Sequence, residues 1–253
     1  MIADDRKKQI LEQLNTNGTV RVGELSQLFD VSEVTIRSYL DDMEKKGLLS
    51  RIHGGAVISY KPYYNMGLNQ RIKTNQSEKK EIASYISKII KPNDTVMLNS
   101  GTTTFMAFKS FPADYNLSIV TNSISIALEA SGNSNYNVIL IGGTINPKYQ
   151  FSYGDDAVNQ LKKYHADKLI LSVDGIDTEN GFTTYYDKEA EIDRIMIKNS
   201  DCCIVAADHS KFNRTAFTKI SNLSVSDYIV TDSSTAPEFI RELKELGIKT
   251  VLA

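Results

Sequence analysis

From residue 95 to residue 230, short apolar runs alternate with stretches of helical periodicity, and this alternation constrains the fold more than any other feature of the chain. The runs fall at 95–98, 117–120, 138–141, 169–173, 204–207 and 228–230. Each is strand-length, and the segments between several of them are long enough for a crossover helix, which predicts a mostly parallel sheet in an α/β fold. Residues 75–91 place Ile82, Ile86 and Ile89 at helical spacing, so a helix should open this region. A parallel sheet delivers the residues that follow its strands to one common edge, where ligands of open α/β sheets bind.

The first sixty residues follow a different pattern. Ile10, Leu11 and Leu14 share a helical face, and Asn15 to Gly18 breaks it. Val22, Leu25 and Leu28 predict a second short helix, residues 29–31 a tight turn, and Ser32 the N-cap of a third helix with Ile36, Leu40 and Met43 inward. Gly47 should end that helix. Residues 48–52 and 56–59, on either side of Gly54 and Gly55, read as two short strands of a hairpin. Three helices and a glycine-turned hairpin match a winged helix-turn-helix, whose third helix enters the DNA major groove. The outward residues Glu33, Thr35, Arg37, Ser38 and Tyr39, with the cap Ser32 and the wing residues Arg51 and His53, are the candidate DNA contacts.

Charge gives this reading no support. Net charge is −2, and the first sixty residues hold eight Lys or Arg against nine Asp or Glu. Binding to duplex DNA then requires the few cations to face the phosphates and a second copy to double the footprint, so a homo-oligomer is expected. Residues 59–75, with Pro62 and Gly67 and no periodicity, read as a linker, giving domains at 1–58 and 76–253. The chain has no apolar run of membrane-span length and no signal-peptide core at its start, so the cytoplasm is the expected compartment. Cys202 and Cys203 are sequence neighbours pointing to opposite faces of a strand, and His53, His165 and His209 are scattered, so neither a disulfide nor a metal site is expected.

Five predicted strand ends carry polar residues suited to an anionic polyol. Ser100, Gly101, Thr102, Thr103 and Thr104 lie between a strand and a helix start, where free N–H groups and the helix dipole favour an anion. Thr121 and Asn122, Gly142 and Gly143, Asp174 and Asp177, and Lys211 follow the other strands. Their hydroxyls, amide, carboxylates and ammonium suit a phosphorylated sugar. There is neither a P-loop nor a dinucleotide fingerprint, and no cofactor is expected. Bland alternatives exist for several: Gly142 and Gly143 can simply turn the chain, and Asp177 can cap the residues that follow it.

Thr35-Ile-Arg37, Gly47-Leu-Leu and Arg51-Ile-His-Gly-Gly-Ala56 resemble the DNA-binding domain of the DeoR family of bacterial transcriptional regulators. The rest of the chain resembles that family's sugar-phosphate-sensing domain, itself similar to ribose-5-phosphate isomerase. The resemblance implies a repressor of a carbohydrate operon, with Ser100 to Thr104, Asp174, Asp177 and Lys211 in the effector site and no catalytic residues. Two departures stand out. Ser38 and Tyr39 replace the family's usual Arg-Asp pair, and Asp193 stands where a lysine is common. The rival expectation is an isomerase with a DNA-binding appendage and Glu189, Glu191 or Asp193 as base. The segment from Phe182 to Lys188 lacks that enzyme's glycine-rich, lysine-bearing clamp, which counts against it.

Overall fold

The computed structural model describes residues 3–17, 19–45, 48–58 and 66–253. The sequence features placed on Gly18, Gly47 and residues 59–65 lie outside these. The chain divides into two compact units, residues 1–66 and 67–253.

In the first unit, helix α1 (Ala3–Asn17) is followed by strand β1 (Thr19–Arg21), helices α2 (Val22–Phe29) and α3 (Glu33–Lys45), and strands β2 (Leu49–Ile52) and β3 (Gly55–Ile58). Ile10, Leu14, Val22, Leu25, Ile36, Leu40, Met43 and Leu49 form one core as their spacing predicts, but Leu28, expected inward on α2, is 56% exposed and Phe29 takes its place. Asp30 makes the turn between α2 and α3 in the left-handed region, at φ 51°. Ser26 secures that turn, its carbonyl accepting from the Val31 N–H and its hydroxyl donating to the Val31 carbonyl. β1 is the one element here that periodicity does not signal, since three residues with a single inward Val20 carry too little pattern. It pairs with β3, so the wing is a three-stranded antiparallel sheet in the order β1-β3-β2.

The second unit is built on a seven-stranded, wholly parallel sheet. Its strands are β4 (Thr95–Leu98), β5 (Leu117–Thr121), β6 (Tyr136–Leu140), β9 (Lys168–Leu171), β12 (Cys203–Ala206), β14 (Tyr228–Thr231) and β15 (Thr250–Leu252), in the order β15-β14-β12-β9-β4-β5-β6. Helices α5 (Gln76–Ser87), α6 (Thr102–Lys109), α7 (Ile124–Ala130), α8 (Asp155–Leu161), α9 (Asp187–Lys198) and α10 (Pro237–Glu245) accompany the sheet, and a separate apolar core packs on each of its faces. From β4 the chain winds outward to β5 and β6, then returns to lay β9 on the other side of β4. The β4/β9 boundary is therefore the topological switch point, the crevice where such sheets bind ligands.

Two small sheets decorate this frame. β7 (Thr144–Asn146) pairs with β8 (Phe151–Tyr153), and β10 (Gly175–Asp177), β11 (Gly181–Thr184) and β13 (Thr218–Ser221) form an antiparallel ribbon. Helix α4 (Leu68–Lys73) lies inside the stretch expected to be linker. With only one buried residue, Leu68, in six, it shows no amphipathic stripe to read. Among the described residues no helix is long and apolar enough to cross a membrane.

Candidate functional site

At the β4/β9 switch point the side chain of Asn99 acts as a hub. Its Oδ1 accepts from the Thr104 hydroxyl at 2.9 Å and the Ser172 N–H at 3.0 Å, and its Nδ2 donates to the Ser172 carbonyl at 2.9 Å and to Asp193 at 3.1 Å. The Thr104 N–H in turn donates to the Ser172 hydroxyl at 2.9 Å. Gly101 is required here, because a Cβ at that position would overlap the Ser172 side chain. The result is a rigid strand-loop-helix corner whose helix, α6, begins at Thr102, with Ser100, Thr102, Thr103 and Thr104 buried.

Charged groups converge beside this corner. Asp174, after β9, is ion-paired to Arg71 on α4 and accepts from Thr184 Oγ1 and the Tyr185 N–H, both at 3.1 Å. Burial alone would raise its carboxyl, but Arg71, Lys211 and Arg214 prevail and hold it at about 2. Asp208, after β12, is likewise pulled down to about 2 against burial by Lys211, Lys79 and hydrogen bonds from Ser210 and Asn75. Lys211 serves both carboxylates. Arg214 is buried and donates to the Tyr185 hydroxyl at 2.9 Å.

Two further acids behave oppositely. Glu189, in the first turn of α9, accepts from Ser100 Oγ at 2.9 Å and from Thr184 Oγ1 at 2.8 Å, yet burial and the nearby Asp174 carboxylate raise its carboxyl. Asp193, one turn deeper and 1% exposed, is raised well above the usual range by burial and by Glu189. Four cations, Arg71, Lys79, Lys211 and Arg214, thus surround two firmly ionised carboxylates, while the remaining two acids are biased toward neutrality. Such an excess of buried positive charge suits an anion.

The sequence-derived residues are distributed unevenly. Ser100 to Thr104, Asp174 and Lys211 gather at this cradle. Thr121 is buried at the end of β5, where its hydroxyl donates to the Leu98 carbonyl at 2.6 Å and accepts from the Ser123 N–H at 3.0 Å. Asn122 anchors the Ser152 carbonyl at 3.1 Å, and its buried Oδ1 has no hydrogen-bond partner among the described residues. Gly142 donates to Gln160 at 3.1 Å, and Gly143, at φ 139°, lies where a Cβ would strike the Tyr153 carbonyl, so both serve the packing of α8. Asp177 stands at the far end of the β10–β11 hairpin, accepting from the N–H groups of Glu179 and Asn180 at 3.1 and 2.7 Å. It makes a turn there, three residues along the strand from Asp174. Glu191 is half-buried on α9. Sequence reasoning missed Arg71, Lys79, Ser172 and Arg214. Only Arg214, three residues after Lys211, carried a legible signal.

In the first unit, Ser32 caps α3 through a 3.2 Å bond from the Thr35 N–H, and its hydroxyl also meets that of Thr35 at 2.9 Å. Glu33 and Arg37 form an exposed ion pair at 2.6 Å one turn apart. Arg51 spans the wing and α3: it pairs with Asp41, and donates to the Arg37 and Gly55 carbonyls at 3.3 Å each. Tyr39 turns toward α1, with Lys7 5.7 Å above its ring and Arg6 3.4 Å from its hydroxyl. His53 is exposed at the wing tip and Ser38 on the helix surface. Val34, 72% exposed, joins Ser38 on the face opposite the buried stripe and was not among the expected contacts.

Comparison with known proteins agrees with both units. Residues 6–61 match the DeoR-like helix-turn-helix domain, and residues 74–233 match the DeoR C terminal sensor domain. The chain is 35% identical over 249 residues to the uncharacterized HTH-type transcriptional regulator YulB of Bacillus subtilis (strain 168), spanning 98% of this chain and 96% of that protein. It is 32% identical over 232 residues to the transcriptional repressor AccR of Agrobacterium fabrum, spanning 91% and 90%. Among solved structures, ribose 5-phosphate isomerase A from Methanocaldococcus jannaschii superposes with a TM-score of 0.41 and 14% identity over 55% of each chain. With both units matched in order and full-length relatives above 30% identity, the chain belongs to the DeoR family of transcriptional regulators.

Proposed function

We propose that this regulator represses a carbohydrate operon and that a phosphorylated sugar, held at the Asn99–Thr104 corner, changes its affinity for the operator. The observation that carries the reading is the surplus of buried cations around Asp174 and Asp208, set beside an α6 N-terminus at the sheet's switch point. In this reading the phosphate lies against the N–H groups of Thr102 and Thr103 and Lys211, the Asp174 carboxylate accepts from a sugar hydroxyl, and Glu189, raised toward its neutral form, donates to the sugar or accepts from it. The name of the relative AccR, a transcriptional repressor, supports the sign of the action.

On the DNA side, Ser32, Thr35, Arg37 and Ser38 contact the operator from α3, and His53 contacts it from the wing. Arg51 and Tyr39 act by holding α3 in place. Glu33 is paired with Arg37, Asp41 with Arg51 and Asp42 with Lys7, so operator phosphates compete with these acids for the unit's cations. A homodimer would double the phosphate contacts.

The test is gel retardation of DNA from the promoter of its own gene, with a panel of phosphorylated sugars and their unphosphorylated forms. A coupling in the usual range would shift operator affinity about 5- to 150-fold. Binding that responds to one phosphosugar and not to its parent sugar is the expected result. Retardation unaffected by every phosphosugar would overturn the effector assignment, and absence of retardation at low salt would overturn the operator assignment.

A further inference from the structure

On α3 the buried stripe is Ile36, Leu40 and Met43, and at 3.6 residues per turn Val34 and Ser38 lie about half a turn away, one above the other. Val34 is therefore on the ridge that a recognition helix presents to the groove, in the N-terminal turn from which such helices touch base edges. Val34 is 72% exposed and, among the described residues, belongs to no apolar cluster of the unit. A β-branched residue also forms helix less readily than Glu, Gln, Lys or Arg, so helix propensity does not favour valine here.

The surroundings narrow what it can touch. On one flank Glu33 and Arg37 are tied together at 2.6 Å, and farther along the ridge Asp41 is tied to Arg51, so charged groups frame an apolar tip. Ser38, the next residue on the ridge, can donate to or accept from any base and discriminates little by itself. Among the groups on base-pair edges in the major groove, one is apolar: the C5 methyl of thymine. We propose that Val34 packs on a thymine methyl in the operator and supplies sequence discrimination that Ser38 cannot.

The experiment separates the methyl from the base pair. The full-length protein selects its preferred duplex from a random pool, and that duplex is resynthesised with deoxyuridine at every thymidine, which preserves pairing and removes only the methyl groups. Wild type should bind the uracil duplex about fourfold more weakly for each contacted methyl, the equilibrium factor for burying a methylene-sized group. Val34→Ala should show a clearly smaller ratio between the two duplexes than wild type. Val34→Thr, which keeps one methyl on the same branched frame, should show an intermediate ratio and carries the test if the alanine variant binds neither duplex. The proposal is overturned by equal loss in wild type and Val34→Ala, by no loss in wild type, or by a selected consensus without thymine.

Discussion

Asp174 and Asp208 make stability depend on acid in a definite direction. Both carboxyls sit at about 2 in the folded chain, below an unfolded value near 3.9, so the folded state binds fewer protons and each contribution is complete above pH 4. Each stabilises by about 2 kcal/mol, lost as pH falls from about 4 to about 2. Denaturant titration of Asp208→Asn should show a shallower fall over that window than wild type. Equal slopes would mean that Asp208 is not held down by Lys79 and Lys211. Asp193 works the other way: its carboxyl is raised, so the folded state retains a proton that the unfolded state loses, and wild type weakens as pH rises above about 4 toward the folded value. Asp193→Asn keeps an oxygen to accept from Asn99 and removes the ionisable group. Its stability relative to wild type should therefore grow as pH rises above about 4, as followed by urea unfolding, and a constant difference would contradict a raised Asp193 carboxyl.

At the level of elements, the wing is joined to α3 through Arg51 and through Glu44, whose carboxylate accepts from the Arg51 N–H at 2.6 Å. Arg51 donates to two carbonyls and pairs with Asp41, and such bonds contribute about 1 kcal/mol each, more with charge. Arg51→Lys retains the cation but not the planar fork of donors. If bracing is its role, Arg51→Lys should weaken operator binding nearly as much as Arg51→Ala, roughly tenfold or more, in fluorescence anisotropy titrations. A lysine variant that binds like wild type would make Arg51 a phosphate contact instead. The same scale explains what the sequence revealed. The helices of the first unit and six strands of the large sheet announced themselves through repeated apolar spacing. β1, β10 and β15 did not, with three residues each, nor did β11 and β13, whose four residues hold one large apolar side chain apiece and which are specified by pairing with distant partners. Strand-end polar residues were legible because topology alone brings them to one edge. Arg71 and Lys79 were not, because they reach the cradle from helices that precede the sheet.

Over the whole molecule, two compact units with separate cores should melt as two transitions. A phosphosugar at the cradle stabilises only the unit that binds it, by about 2.7 kcal/mol at a hundredfold excess over Kd. Calorimetry should show the transition of residues 67–253 moving upward with ligand while that of the winged helix stays in place. Joint movement of both would indicate that the units unfold as one. Whole-molecule charge was the least informative feature in the sequence, because a net charge of −2 conceals a second unit that concentrates its cations internally and a first that pairs its acids.

Arg71 has a mechanical side. It lies on α4, the helix by which the chain enters the second unit, and α4 is fastened by Arg71 to Asp174 and over the Tyr149 ring, by Lys79 to the carbonyls of Arg71 and Thr74, and by the Leu68 N–H to the Lys148 carbonyl. Tension arriving along the chain from the winged helix is delivered to these fastenings before it reaches any strand of the sheet. Pulling would strip α4 from the cradle while the seven strands stayed paired, and an anion competing for Arg71 would lower the force at which that occurs. The cradle proposed for the effector would then yield before the sheet does.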